Sequence, residues 1–249
     1  MISAARQAIV SARSVVVITG AGISAESGIP TFRSGQPGGM AALWKDFDPA
    51  TLATPEAFAR DPKTVTEWYD WRRIKCRDAI PNPGHLALAA LERQIIARAG
   101  SFTLLTQNVD RLHHRAGSRN VVELHGNIMQ WRCAATHRPV DIPDTPFAQF
   151  PPPSPHSPGA FLRPCVVWFG ESLPPKALRT AHDAVSACDC FLSIGTSSVV
   201  YPAAGFVQIA ASLGAACIEV NADSTPISPR VHYSIRGKAG EVLPLLTGP

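Results

Sequence analysis

The pattern of apolar and polar residues along the chain alternates between two periods. Short runs dominated by apolar residues, typical of strands in a buried parallel sheet, lie at residues 15–18, 101–106, 121–123, 190–194 and 217–220. Apolar residues at helical spacing separate most of these runs and predict helices over residues 2–12, 62–79, 82–98 and 176–187. This alternation predicts an α/β fold built on a doubly wound parallel sheet.

One stretch breaks the pattern. Residues 127–163 include PPPSPHSPGA, have little apolar periodicity and predict a loop-dominated module outside the main sheet. We therefore expect a Rossmann-like domain with a smaller inserted domain. The larger domain is expected to comprise residues 1–34, 80–126 and 160–249. The smaller is expected to combine a helical insert, residues 35–79, with a proline-rich module, residues 127–159.

The composition fits a globular protein and argues against several other classes. Hydrophobic residues make up 45% of the 249 residues and charged residues 17%, which argues against disorder. The formal net charge of +4 is mild, so no nucleic-acid partner is expected. No apolar run approaches the roughly 18 residues of a membrane span. Six scattered cysteines and a polar N-terminal stretch favour a cytoplasmic protein with free thiols, which we expect to be a monomer.

Small or polar residues follow four of the predicted strands. They are Gly20, Ala21 and Gly22, then Gln107, Asn108 and Asp110, then Gly195, Thr196 and Ser197, and finally Asn221. The carboxyl ends of parallel strands share one edge of an open sheet, where ligands bind. A glycine turn there lets a phosphate approach the backbone, although a tight turn without a ligand explains Gly-Ala-Gly equally well.

Three separate motifs narrow the interpretation. They are GAGISAESGIPTFR from Gly20, TQNVDRLHHRAG from Thr106 and ELHG from Glu123. In sequence and in order they resemble the core of the sirtuins, the NAD-dependent protein deacylases. The resemblance extends from about Val15 to Ala239. It implies a sirtuin-type fold, NAD as cofactor, and acylated-lysine proteins or peptides as partners.

The resemblance also implies roles for individual residues. His125 is expected to act as general base on a ribose hydroxyl, a step that suits an ordinary histidine pKa of roughly 6.5. Asn108 and Asp110 are expected to complete the catalytic set. The residues expected to bind NAD are Gly20, Ala21, Gly22, Glu26, Thr31, Phe32, Arg33, Gln107, Asn108, Asp110, Gly195, Thr196, Ser197, Asn221 and Ala239.

The segment VVWFGE resembles the one that holds the substrate backbone in sirtuins. Its residues are Val166, Val167, Trp168, Phe169, Gly170 and Glu171. The apolar run at residues 165–169 predicts an exposed edge that pairs with an extended peptide by strand addition. An ordinary interior strand is the alternative.

Tyr69 and Arg72 lie three residues apart, on one side of a predicted helix. An aromatic core residue beside a solvated arginine would explain them. Their setting in EWYDWRR, however, resembles the sirtuin branch that prefers acidic acyl groups. A guanidinium and a phenol can both donate to a carboxylate, so we expect succinyl- or malonyl-lysine to be preferred over acetyl-lysine.

The zinc module of most sirtuins is degenerate in this sequence. Of its four cysteine positions only Cys133 is retained, and the others are Thr136, Pro155 and Pro158. Proline and threonine do not supply the ligands of a tetrahedral zinc site, so no bound metal is expected.

Two other functions remain open at this point. One is an NAD glycohydrolase or ADP-ribosyltransferase on a sirtuin core, which the lost zinc ligands keep in play. The other is a non-catalytic NAD-sensing module. Retention of Asn108, Asp110 and His125 together argues against the second, and VVWFGE with Tyr69 and Arg72 argues against the first.

Overall fold

The computed structural model describes residues 1–30 and 49–248. Three of the residues expected to bind NAD, Thr31, Phe32 and Arg33, lie outside the described residues.

Helices and strands alternate along most of the described chain. The helices are α1 (Ile2–Ser11), α2 (Ala21–Ala25), α3 (Pro49–Leu52), α4 (Pro55–Arg60), α5 (Pro62–Asp78), α6 (Pro83–Ala97), α7 (Leu112–Arg115), α8 (Pro175–Ser186), α9 (Phe206–Ser212) and α10 (Ala239–Thr247). The strands are β1 (Ser14–Thr19), β2 (Ser101–Thr106), β3 (Val121–Glu123), β4 (Gly126–Cys133), β5 (Pro139–Val140), β6 (Leu162–Val166), β7 (Cys190–Ile194), β8 (Ala216–Asn221) and β9 (Tyr233–Arg236).

Six of these strands form the main sheet, in the order β3-β2-β1-β7-β8-β9. All of its neighbouring pairs are parallel. From β1 the chain adds β2 and then β3 on one side, and it later adds β7, β8 and β9 on the other side of β1. The topological switch point therefore lies between β1 and β7. This is the doubly wound order in which a ligand crevice opens at the carboxyl ends of the two central strands. The predicted fold class is confirmed.

The central strand β1 is covered on both faces, which explains its continuous apolar run. Val15 and Val17 pack with α1, α6 and α10, whereas Val16 and Ile18 pack with α8 and α9. Alternate side chains point to opposite faces, so each face of the sheet acquires its own apolar core.

A second, smaller sheet lies in the stretch predicted to be a loop-dominated module outside the main sheet, and most of that stretch is loop, as predicted. β4 pairs in antiparallel fashion with β5 and with β6. The register shifts between Asn127 and Trp131, and this irregularity breaks the alternation that would have marked β4 in the sequence. Within the described residues β6 pairs with β4 of this sheet, and the division of the chain into a larger and a smaller domain stays a prediction.

A third apolar core joins the smaller sheet to the helical insert. Residues of α4 and α5 pack there against Ile128 and Trp131 of β4 and against Trp168. Within residues 1–30 and 49–248, no helix combines the length and the apolarity needed to cross a membrane.

Candidate active site

The turns after β1 and β7 meet at the switch point of the sheet. The N–H of Gly20 donates to the Ile194 carbonyl at 3.0 Å, and the N–H of Gly22 donates to the Gly195 carbonyl at 2.8 Å. A Cβ on Gly20 would lie 2.8 Å from the Cα of Thr196, and one on Gly22 would lie 2.7 Å from the Gly195 oxygen. The contact between the two turns therefore requires glycine at both positions. This reason for glycine adds to the one inferred from the sequence, which is space for a phosphate.

Side chains from the neighbouring strand ends connect these turns. Nδ2 of Asn108 donates to the Gly20 carbonyl at 3.0 Å. Nε2 of Gln107 donates to Oγ1 of Thr196 at 3.1 Å, and Nδ2 of Asn221 donates to the Thr196 carbonyl at 2.7 Å. The structure thus brings predicted residues from the ends of β1, β2, β7 and β8 to one edge of the sheet.

Asp110 belongs to a buried polar cluster beside α2. It is 4% exposed, and its carboxylate accepts hydrogen bonds from the Ser24 hydroxyl at 2.7 Å and from the Leu112 N–H at 2.8 Å. Burial raises the pKa of Asp110, while these hydrogen bonds and the charges of Arg72 and Arg115 oppose the rise. The cluster fixes the carboxylate next to Asn108 through the Ser24 hydroxyl that the two residues share.

Two histidines of this region were not among the predicted site residues. Nε2 of His85 lies 3.5 Å from the Ser24 hydroxyl, and Nε2 of His113 lies 2.9 Å from the Thr19 hydroxyl. Burial lowers the pKa of both, that of His85 to about 4, so both rings are neutral at pH 7. In the sequence, β1 and β2 both end in threonine. In the structure these two residues, Thr19 and Thr106, are register partners joined by a hydrogen bond, and the paired hydroxyls are the signal that points to a polar partner such as His113.

His125 lies between β3 and β4, half-buried. Its Nδ1 is 3.0 Å from the Gln107 carbonyl oxygen. A carbonyl oxygen only accepts hydrogen bonds, so in the neutral ring Nδ1 carries the proton and Nε2 is the basic nitrogen. Burial lowers the pKa of His125, and the Gln107 hydrogen bond opposes that shift. The ring is thus held in the tautomer that a general base needs.

Tyr69 and Arg72 lie on α5, close to the polar cluster. Tyr69 is 3% exposed, and its ring centroid lies 4.7 Å from that of Trp68 and 6.2 Å from that of Trp168. Burial raises the pKa of Tyr69, so the phenol stays neutral, and the charge of Arg72 opposes this rise. The same charge acts on Asp110, so Arg72 lies within electrostatic reach of a predicted catalytic residue.

The segment predicted to bind a peptide by strand addition is only in part a strand. β6 ends at Val166, and the next three N–H groups are already occupied within the chain. Those of Val167, Trp168 and Phe169 donate to the His125 carbonyl, the Glu171 carboxylate and the Ala53 carbonyl at 2.9, 2.9 and 2.8 Å. The prediction of an open edge is therefore wrong for these three N–H groups, and binding of a peptide by this segment stays a prediction.

Arg163 and Glu171 hold the turn that follows β6. The guanidinium donates to both carboxylate oxygens of Glu171, at 2.7 and 2.9 Å, and its Cζ lies 3.3 Å from the ring centroid of Trp168. Trp168 is interior, whereas Phe169 is 46% exposed and Gly170 is exposed. Among the predicted substrate contacts, Phe169 therefore presents its ring at the surface.

Two residues expected to bind NAD have other partners. The Glu26 carboxylate accepts the Gly240 N–H at 2.9 Å. Ala239 is 5% exposed and lies in the core formed with α6 and α10. Ala21 and Ser197 are half-buried, in the turns after β1 and β7.

The residues at the sirtuin zinc positions do not fit a metal ion. Hydrogen bonds from Ser154 and Thr136 lower the pKa of the Cys133 thiol to about 6, and the N–H of Thr136 lies 3.4 Å from its sulfur. Pro155 and Pro158 supply no ligand atom from their side chains. In the part of the chain that the structure describes, no three His, Cys, Asp or Glu side chains are grouped closely enough to hold a metal.

Comparison with known proteins agrees with this geometry over nearly the whole chain. The Sir2 family model matches residues 20–202. An NAD-dependent protein deacylase of Thermus thermophilus is 50% identical over 245 residues, which cover 98% of this chain and 93% of the relative. The structure of a Sir2 homologue–NAD complex matches with a TM-score of 0.89 and 44% identity, covering 98% of this chain and 92% of that one. A mutant Sir2 homologue in complex with 2'-O-acetyl ADP ribose matches with a TM-score of 0.88 and 45% identity, covering 97% and 93%. The chain belongs to the Sir2 family.

Proposed function

We propose that the protein is an NAD-dependent protein-lysine deacylase, which transfers an acyl group from lysine to ADP-ribose and releases nicotinamide. The observation that carries the proposal is His125, whose ring is oriented by the Gln107 carbonyl at the sheet edge that also holds Asn108 and Asp110. The name of the Thermus thermophilus relative supports it. The NAD and 2'-O-acetyl ADP ribose complexes of Sir2 homologues are consistent with the substrate and the product.

In this proposal NAD and the acylated lysine are both substrates. The acyl oxygen bonds to the anomeric carbon of the ribose as the bond to nicotinamide breaks. Nε2 of His125 accepts the proton of a ribose hydroxyl, whose oxygen then attacks the acyl carbon. The lysine amine takes up a proton and leaves the resulting tetrahedral carbon, and water then adds to that carbon. Its bond to the oxygen on the anomeric carbon breaks, so O-acyl-ADP-ribose remains. Asn108, fixed through its Nδ2, keeps its carbonyl oxygen to accept from a ribose hydroxyl or from the nicotinamide amide.

The proposal extends to the acyl group. Tyr69 supplies a neutral phenol and Arg72 a permanent cation beside the site, in surroundings that include the rings of Trp68 and Trp168. A guanidinium binds a carboxylate through two parallel hydrogen bonds, and low solvent exposure strengthens them. Succinyl- and malonyl-lysine are therefore the proposed preferred substrates, and acetyl-lysine a poorer one.

The identity of the products tests the reaction itself. Incubation with NAD and a succinyl-lysine peptide should give deacylated peptide, nicotinamide and O-succinyl-ADP-ribose in equal amounts, measured by mass spectrometry. Free ADP-ribose formed in the absence of peptide would instead indicate an NAD glycohydrolase. ADP-ribose attached to the peptide would indicate an ADP-ribosyltransferase.

The lowered pKa of His125 predicts the acid limb of the pH profile. The base acts only when unprotonated, so activity is lost as the pH falls through the pKa of His125. Because burial places that pKa below its ordinary value near 6.5, the acid limb of the kcat/KM profile should reach its half-maximum below pH 6.5. A kcat/KM profile with its half-maximum above pH 6.5 would contradict the assignment.

The cytoplasmic location and the monomeric state stay predictions from the sequence.

A further inference from the structure

A buried ion pair joins α5 to the proline-rich module. Asp70 and Arg73 are 2% and 3% exposed, and one oxygen of Asp70 accepts from Nε and Nη2 of Arg73 at 2.8 and 2.6 Å. The guanidinium also donates to the carbonyl oxygens of Pro143 and Thr145, each at 2.8 Å. The second Asp70 oxygen accepts the Phe147 N–H at 3.0 Å. The two side chains are therefore paired with each other and with the backbone of the module.

Aromatic contacts extend this connection to the smaller sheet. The Phe147 ring lies 5.2 Å from Cζ of Arg73 and meets Trp131 of β4 edge-on, with 4.9 Å between ring centroids. Trp131 is 1% exposed. One helix, one loop and one strand thus converge on the ion pair.

Hydrogen bonds close the part of the module where a metal would join two loops in other sirtuins. The Ser154 N–H donates to the Ala160 carbonyl, and the Leu162 N–H to the Pro152 carbonyl, both at 2.8 Å. Nε2 of His156 lies 3.1 Å from the Pro139 carbonyl oxygen, so this ring is engaged with the backbone. These bonds connect the segment before β6 with itself and with β5 without a metal ligand.

The ion pair also shares α5 with the proposed acyl-binding residues. Tyr69 is adjacent to Asp70, and Arg72 is adjacent to Arg73. Successive helical residues are separated by a fixed rotation, so any turn or shift of α5 moves all four side chains together. Contacts that fix Asp70 and Arg73 on the module therefore fix where Tyr69 and Arg72 lie.

We propose that the Asp70–Arg73 pair fastens the proline-rich module to α5 in place of a structural metal, and that it positions Tyr69 and Arg72 for the acyl group. Asp70 and Arg73 are positioning residues, since they act through their neighbours on α5. The first half of the proposal stands independently of the reaction. The second half rests on the proposed function, because it concerns the preference for an acidic acyl group.

Metal analysis of the full-length, untagged protein tests the first half. We expect far less than one zinc per chain by elemental analysis after purification in zinc-supplemented medium. We also expect EDTA to leave both Tm and deacylation unchanged. One zinc per chain, with a Tm that falls on chelation, would overturn it.

Substitutions in the ion pair test the second half. Arg73→Lys keeps the charge but loses the planar fork, and Asp70→Asn keeps one acceptor. Each should lower Tm by about 10 °C, as expected for a broken buried pair. At a temperature well below that Tm, the succinyl-to-acetyl ratio of kcat/KM should fall about tenfold, with the KM for NAD unchanged. Arg60→Lys, at an exposed position on α4, is the matched control.

A milder variant covers the case in which these two fail to fold. Phe147→Ala removes the ring that links Arg73 to Trp131 and leaves no buried charge unpaired, so it should lower the same ratio with a smaller loss of Tm. A loss of Tm with an unchanged ratio in the folded variants would overturn the positioning role. If the unsubstituted protein itself has no preference for succinyl-lysine, the proposed acyl specificity fails, while the metal analysis and the Tm of the ion-pair variants still decide the first half.

Discussion

His125→Ala is expected to lower kcat for deacylation of an acyl-lysine peptide by roughly 10²- to 10⁴-fold, the usual contribution of a positioned general base. The variant loses Nε2, the basic nitrogen that the Gln107 hydrogen bond leaves unprotonated. The glycine turns after β1 and β7 do not depend on the ring. The KM for NAD should therefore change little, so the loss should appear almost entirely in kcat.

The step of the reaction at which His125 acts provides a second measurement for this prediction. Proton transfer to His125 follows cleavage of the nicotinamide bond in the proposed sequence, so exchange of labelled nicotinamide into NAD should persist in the variant when acyl peptide is present. His182→Ala, at an exposed position on α8, should behave like the unsubstituted protein. If exchange and deacylation were lost together, or if neither changed, His125 would not be the base for the ribose hydroxyl.

The second large effect is expected from Arg72→Met. A paired, charge-assisted hydrogen bond in a site of low solvent exposure contributes about 3 kcal/mol, so kcat/KM for a succinyl-lysine peptide should fall about 10²-fold. Methionine has a similar length and no charge, and an acetyl group has no carboxylate to lose. Deacetylation should therefore be spared or slightly improved.

Paired kinetics on succinyl- and acetyl-lysine peptides of identical sequence measure this change. Arg60→Met, at an exposed position on α4, controls for the loss of one positive charge. Equal loss of both activities would mean that Arg72 supports the fold or the NAD site instead of selecting the acyl group. The charge of Arg72 also acts on Asp110, so kinetics on both peptides are needed to separate the two roles.

Much of the larger domain could be predicted from the sequence. Its inner strands β1, β2, β7 and β8 are largely buried and so appear as short apolar runs, and the small or polar residues after them mark the carboxyl edge of the sheet. The edge strand β9 is largely unburied and carries no such run, so the sequence does not predict it. The pattern of the inner strands places Asn108, Gln107 and Asn221 at strand ends, and the structure joins them to the turns after β1 and β7. Local periodicity sufficed there because each inner strand carries its own signal.

The smaller domain is harder to predict from the sequence because its contacts are long-range. The shifted register between Asn127 and Trp131 hides β4. Pro164 lies within β6 and makes a strand there less evident in the sequence. It is tolerated because β6, among the described residues, pairs with β4 alone. Similarly, Arg73 reads as an ordinary helical arginine. Only the fold shows that its guanidinium meets the carbonyl groups of Pro143 and Thr145, about 70 positions away in the chain.

Release of nicotinamide from NAD tests the central claim most directly. The rate would be measured with a succinyl-lysine peptide, with the matched acetyl-lysine peptide and with no peptide. The account predicts release that requires an acylated peptide and is fastest with the succinyl one. Release at the same rate in all three reactions would contradict it. The protein would then cleave NAD whether or not an acyl group is present to be transferred to ADP-ribose.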